Sequence, residues 1–403
     1  LGISTETIEN PSNFLDYSRE MKRSSLLLIF LVIFFDLLSF GIVIPILPYY
    51  SKNFGASAFA LGWLMASYSI AQFLFAPVWG ALSDRFGRRP ILLFTILGSA
   101  GAMLLTGLAD NLYFLFAARI LAGFFAANIS TATAYITDIT PPEQRAKGMG
   151  IVGAGYGLGF IFGPAIGGVL SVHSYALPIL CAAGLALFNF FFALLFLAEP
   201  EKKKGFEKKF QWQGMSAALA QEKTAFPIGL FFLSTLAFTQ LEVVFGLFVL
   251  EKFSFGPRDA GWLLAGMGIV SAFLQGGLIG RLAKKFGESY LLITGFFFFS
   301  FSLIGASFAP SVGMFAISLL GIAVGSGLVN PSLSSLASKG APEDKRGLIM
   351  GMYQSAGSFA RIVGPPAAGY IFDRWNPSSP IFFSGLLMGL GFFLALLGKK
   401  RFA

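Results

Sequence analysis

The chain has 403 residues, 55% of them hydrophobic and 12% charged, with a net charge of +9. A soluble domain carries roughly twice that charged fraction, so an ordinary water-soluble fold is excluded. One cysteine (Cys181) and one histidine (His173) exclude a disulfide framework and argue against a Cys/His metal centre.

Residues 1–24 are polar, and the apolar run from Leu26 is too long for the core of a cleavable signal peptide. From there the spacing predicts twelve segments of about 20 apolar residues, each enough to cross a bilayer. They lie near 26–50, 60–82, 91–109, 112–136, 147–171, 176–197, 225–250, 260–282, 290–309, 312–336, 347–371 and 380–398. An even number places both termini on one side. Positively charged loops stay cytoplasmic. With the N-terminus inside, 23 Lys and Arg fall in inside segments and 4 in outside loops (Lys52, Lys252, Arg258, Arg374), while Arg119 and Arg361 fall within spans. The basic excess is therefore a topology signal and predicts no nucleic-acid partner.

Three pairs of markers recur at an offset of 200 or 201: RFG at 85–87 with KFG at 285–287, PEQR at 142–145 with PEDK at 342–345, and GPAIGG at 163–168 with GPPAAG at 364–369. The expected fold is an all-α membrane protein of two pseudo-symmetric six-helix bundles. Its predicted divisions are a cytoplasmic tail 1–24, a first bundle 25–197, a cytoplasmic linker 198–223, a second bundle 224–399 and a cytoplasmic tail 400–403. Parallel repeats of this kind put a substrate site at the midplane between the halves.

Span by span, four residue sets stand out. The loop after span 2, GALSDRFGRRP, packs four charges between two apolar helices. Span 5 is rich in glycine, which lets helices approach closely. Ionisable groups inside spans are costly and mark function; here they are Asp36, Arg119, Glu242 and Arg361. Burial favours a neutral carboxyl and a nearby Arg favours the charged one, so competition between cargo and proton is the simplest basis of antiport. Asp36 is the first choice of proton or cation carrier and Glu242 the second. Arg119 is read as tuning one of these carboxyls, and Arg361 either does the same or pairs near a helix end. Polar and aromatic candidates for the substrate pocket are Gln72, Asn128, Tyr156, Gln240, Tyr353 and Gln354, although most aromatics in a chain with 48 Phe serve packing.

Over essentially its whole length the chain resembles the major facilitator superfamily. Gly80, Asp84, Arg85, Gly87, Arg88 and Arg89 match the family's signature between spans 2 and 3. Leu115, Arg119 and Gly123 match its span-4 signature, with Ala122 in place of the usual Gln. Gly150, Gly159, Gly163, Pro164, Gly167 and Gly168 match the span-5 signature associated with proton-coupled antiporters. Asp36, Gly41, Pro45 and Pro48 look like the start of twelve-span drug/H+ antiporters, the tetracycline-efflux group especially.

The resemblance implies that Asp84 faces the N-terminus of span 11 and that Arg88 reaches Asp138, latching the two halves on the inside. A solvated turn is the plainer reading of the same loop. It further implies a secondary active transporter of the bacterial inner membrane, a monomer among lipids, exporting lipophilic or amphiphilic small molecules by alternating access. The energy source is a proton or cation gradient, with no cofactor. A metabolite symporter or facilitator, or a lipid or lysolipid flippase, is the alternative on the same fold. An enzyme is not expected, because one loop histidine and a single Asp and Glu within spans supply neither a zinc site nor a catalytic dyad. A channel would need a filter-like loop, and none is apparent.

Overall fold

The computed structural model describes residues 11–126, 129–140, 145–200, 222–342 and 345–399. Among them all regular structure is helical, as a bilayer demands: helices satisfy their own backbone where no water can. The first half comprises α1 (Pro11–Val43), α2 (Leu47–Asn53), α3 (Ala58–Phe86), α4 (Arg88–Gly107), α5 (Leu112–Phe125), α6 (Ile129–Ile139), α7 (Arg145–Leu170) and α8 (Ala176–Phe196). The second comprises α9 (Glu222–Phe253), α10 (Pro257–Phe273), α11 (Ile279–Phe286), α12 (Glu288–Phe308), α13 (Val312–Lys339), α14 (Arg346–Arg374) and α15 (Ser379–Leu397).

Among the described residues ten helical stretches are long and apolar enough to cross a membrane. The segments expected as spans 5 and 11 form helices α7 and α14 but are not among the ten. In α7 the apolar stretch with described side chains is Gly157–Leu170, and α14 carries Arg346, Arg361, Asp373 and Arg374. Among the described residues two expected spans are less regular than the sequence suggested. Span 1 breaks after Val43, where Pro45 follows, and restarts as α2 with Pro48 in its first turn. Span 4 carries α5 and α6, with 127–128 between them outside the described residues. Span 8 carries a π-helical turn at Leu274–Leu278, around Gly276 and Gly277, between α10 and α11.

The packing is two-fold. Within the first half α1 lies on α7, α3 on α5, and α4 on α8; in the second α9 lies on α14, α10 on α13, and α12 on α15. The halves meet where α3 packs on α14 and α7 on α10. Caps repeat as well: the Asn111 side chain accepts from Phe114 N at the start of α5, and Ser311 accepts from Met314 N at the start of α13. The outer surface is apolar, with Leu397 82% and Phe301 69% exposed, as suits hydrocarbon rather than water.

Glycine sets the closest helix approach. A Cβ on Gly163 would lie 2.5 Å from the Gly41 carbonyl carbon, so α1 and α7 touch backbone to backbone. Gly159 and Gly167 face Leu37 and Ile42 of α1 in the same way, whereas Gly168 faces Pro257 and Arg258 of α10. One row of small residues thus serves a contact within the half and a contact between halves. Gly150 lies on α7, but its side of the helix is outside the described residues.

Candidate functional site

The seam between the halves is closed at the end that carries α2. There Ala58 N and Phe59 N, the first amides of α3, donate to Asp373 Oδ1 and Oδ2 of α14 at 3.0 and 2.8 Å. Gly369 and Gly62 leave no room for a Cβ against the Ala58 and Pro365 carbonyls. Tyr49 Oη donates to Phe255 O at 3.2 Å, and Lys52 pairs with Glu251 at 3.5 Å.

At the opposite end lies the loop 80–90. Gly87 has φ +108°, a conformation that favours glycine, and makes the sharp turn between α3 and α4. Arg88 gathers the loop: it pairs with Asp84 at 2.6 Å and with Asp138 at 2.9 Å, and donates to Ser83 Oγ at 2.6 Å. The expected Arg88–Asp138 pair is present. Among the described residues the expected approach of Asp84 to the helix 346–374 is not made: its partner here is Arg88, one turn on, and its side chain is 67% exposed. Gly80 has open space beside it, Arg85 lies against the Phe86 ring, and Arg89 donates to Leu194 O at 2.6 Å.

Glu199 was missed by sequence reasoning. Its carboxylate accepts from Arg88 N and Arg89 N at 2.7 and 2.8 Å and so caps α4. The signal available was an acid directly after the last apolar residue of the first half. In the second half the equivalent contact has its charges reversed. Glu288, the first residue of α12, pairs with Lys339 at the end of α13, where the first half has Arg88 and Asp138.

Between the two ends lies a cavity of about 360 Å³. All four charged in-span residues line it: Asp36 from α1, Arg119 from α5, Glu242 from α9 and Arg361 from α14. Gln72 and Asn330 add polar edges, and Phe40, Tyr68, Phe160 and Phe238 add aromatic walls. Glu242 and Arg361, both from the second half, line the same cavity. Arg119 lies over the Tyr68 ring at 4.5 Å. A second cavity of about 320 Å³ adjoins it, sharing Phe160, Phe238, Glu242 and Asn330. Its other walls are mainly apolar, among them Ile44, Leu241, Phe245, Leu264 and Met267.

Of the four residues expected at the substrate that lie among the described ones, Gln72 alone lines these cavities. Gln72 Nε2 donates to Ala126 O at 3.1 Å. Gln240 is buried and its Oε1 faces Ser384 of α15. Tyr353 is buried and stacks on Phe231 at 3.8 Å, so it backs a cavity wall from behind. Gln354 is exposed on α14 and lines neither cavity. Asn128 and the Tyr156 side chain lie outside the described residues. A helix points each side chain 100° from the last, so one residue's register decides cavity, core or lipid.

Two helical halves that enclose a charged cavity at mid-depth, inside an apolar outer surface, define an integral membrane transporter. The Major Facilitator Superfamily profile matches residues 29–365 and 228–402, and the chain belongs to that family. It is 32% identical over 374 residues to the class C tetracycline resistance protein of Escherichia coli, covering 88% of this chain and 93% of the relative. To multidrug resistance protein 1 of Bacillus subtilis (strain 168) it is 31% identical over 384 residues, covering 94% and 97%. Among solved structures, a bacterial homolog of the human lysosomal transporter Spinster, inward-facing and unoccupied, superposes with a TM-score of 0.80 at 15% identity, covering 94% and 97%. The human organic anion transporter MFSD10 gives 0.71 at 23%, covering 93% and 99%. These two likenesses concern the fold. The relatives are transporters, and this chain is a transporter rather than an enzyme.

Proposed function

We propose that this chain is a proton-coupled antiporter that exports lipophilic or amphiphilic small molecules by alternating access. The observation that carries the reading is the convergence of Asp36, Arg119, Glu242 and Arg361, two residues from each half, on one aromatic-walled cavity. Ionisable groups are kept inside a membrane protein only where they do work. Asp36 and Glu242 are the proton carriers, and Arg361 is the counter-charge for Glu242. The adjoining apolar chamber takes the greasy part of the cargo. The tetracycline and multidrug resistance relatives support the drug-efflux class.

The orientation follows from positive loops staying inside. Both termini and the loop 80–90 are cytoplasmic, and the membrane is the bacterial inner membrane. The two bundles, 25–197 and 224–399, move as bodies about their seam, joined by the cytoplasmic linker 198–223, and one copy suffices. With Asp373 closing the outer end, this conformation faces inward. Asp84 is then free of α14, and the latch on that helix's N-terminus forms when the protein opens outward. The span-5 glycines hold α7 tightly against α1 and α10 as the packed hinge of that motion.

The test is reconstitution in liposomes under an imposed pH gradient, with cationic, zwitterionic and lipid-like compounds offered in turn. Proton flux linked to movement of one compound class is the expected result. Movement that neither uses nor dissipates the gradient would replace antiport with facilitation, and movement of lipid-like compounds alone would make it a flippase.

A further inference from the structure

The stretch that joins α11 to α12 reads RLAKKFGESY at 281–290. Arg281, Lys284 and Lys285 are all exposed, and their spacing of three and four residues puts them on one face of α11. Among the described residues no ion pair reaches any of the three. The acid of the turn, Glu288, is already held by Lys339 and accepts from Ser335 Oγ at 3.1 Å. The equivalent turn of the first half is balanced differently. Asp84 stands where the second half has Lys284, and it pairs with Arg88. Three cations without an acid partner are thus a property of the second half, and the duplication does not account for them.

Two exposed rings adjoin these cations. Lys285 Nζ lies 5.1 Å from the centroid of the Phe286 ring, and Phe286 stacks on Tyr290 at 5.8 Å. Tyr290 begins an exposed aromatic stripe on α12 that continues through Phe297, Phe301 and Phe308. At 100° per residue these four lie within about 40° of one another around the helix. The stripe is about 27 Å long at the helical rise, close to the roughly 30 Å of a bilayer's hydrocarbon core. It therefore covers the hydrocarbon, and Tyr290, Phe286 and the three cations lie at one edge of it, the level of the headgroups. Tyrosine is enriched at that level.

We infer that α11 and the start of α12 bind an anionic phospholipid headgroup, with Arg281, Lys284 and Lys285 around its phosphate and the rings of Phe286 and Tyr290 beside its glycerol and first acyl carbons. A zwitterionic headgroup brings no net charge to three unbalanced cations, whereas a phosphatidylglycerol-like diester does. A soluble phosphate would satisfy the cations and leave both rings without an apolar neighbour. That the lipid belongs to the cytoplasmic leaflet rests on the proposed orientation; the binding does not.

The test titrates delipidated protein in dodecyl maltoside with phosphatidylglycerol or phosphatidylcholine of matched chains and counts bound lipids by native mass spectrometry. It involves neither transport nor orientation, so its outcome is independent of both. The first phosphatidylglycerol is expected to bind about ten-fold or more tightly than the first phosphatidylcholine, since one Lys or Arg near an anionic surface is worth about five-fold. Arg281→Gln/Lys284→Gln/Lys285→Gln is expected to lose that preference. Lys202→Gln/Lys203→Gln/Lys204→Gln, which removes the same charge elsewhere, is expected to keep it. Glycerol 3-phosphate at the lipid's concentration is expected to displace nothing. Equal binding of the two lipids by the unaltered protein would overturn the assignment even if a variant failed to fold. So would a preference that survives the change at 281–285, an equal loss in the 202–204 variant, or displacement by glycerol 3-phosphate, which would mark a site for soluble phosphate.

Discussion

The carboxylate of Asp373, at the last turn of α14, lies across the first turn of α3 in the other half, 2.8 Å from Phe59 N and 3.0 Å from Ala58 N. A helix N-terminus presents unpaired amides and a partial positive charge, and a carboxylate there contributes about 0.3–1 kcal/mol, up to about 2 when partly buried. Asp84 stands at the opposite end of the same helix pair, near the last turn of α3, and here pairs with Arg88 instead. One pair of helices therefore carries an acid at each end, and among the described residues Asp373 alone of the two bridges the halves.

Replacing Asp373 by Asn weakens the bridged end. The expected outcome is a several-fold rise in conformers open at that end, since about 1 kcal/mol is worth about a factor of five. Spin labels at Tyr113→Cys and Gly313→Cys, both exposed at that end, with Cys181→Ser as background, measure the distance. A distribution identical to that of the unaltered protein would refute the bridge as a closing contact.

Asp84→Asn bears on the other end. The side chain is mostly exposed and its one ion pair is local, so melting in detergent is expected to change little. Transport is expected to fall strongly, because the outward-open state loses its bridge. Normal turnover in proteoliposomes would leave loop 80–90 as a plain turn.

Asp36→Asn is expected to abolish uptake driven by a pH gradient while leaving substrate binding measurable. Glu242→Gln, measured beside it, assigns the second carrier. Undiminished proton coupling in both variants would remove the carboxyl scheme altogether.

The α1–α7 contact predicts a contrast between two glycines. Gly163→Ala places a methyl against the Gly41 backbone and is expected to destabilise by about 1–3 kcal/mol, read as a lower Tm. Gly101→Ala has nothing within 4 Å and is expected to be neutral or slightly stabilising.

Glu199→Ala removes two charge-assisted bonds from the start of α4. The expected cost is about 1 kcal/mol, with Glu199→Gln recovering part of it. Equal stability of all three proteins would mean that the cap contributes nothing.

Much of this molecule is written in its sequence because two of its rules are one-dimensional. Hydrocarbon requires long apolar helices, and that requirement marks most of them in the chain; duplication repeats the markers at a fixed offset. Charges in such helices are rare enough to name individually, which is why Asp36, Arg119, Glu242 and Arg361 could be singled out before their meeting in one cavity was known. What required the tertiary structure was facing and pairing. Gln240 and Tyr353 look like cavity residues until the rotation of their helices turns them to Ser384 and Phe231. Glu199 on α4 and Asp373 on α3 join positions more than a hundred residues apart, and nothing local distinguishes such an acid from a solvated one. Composition settles what solvent the chain lives in, but only packing settles which side chain a helix turns toward its neighbour, since 100° of rotation separates one residue from the next.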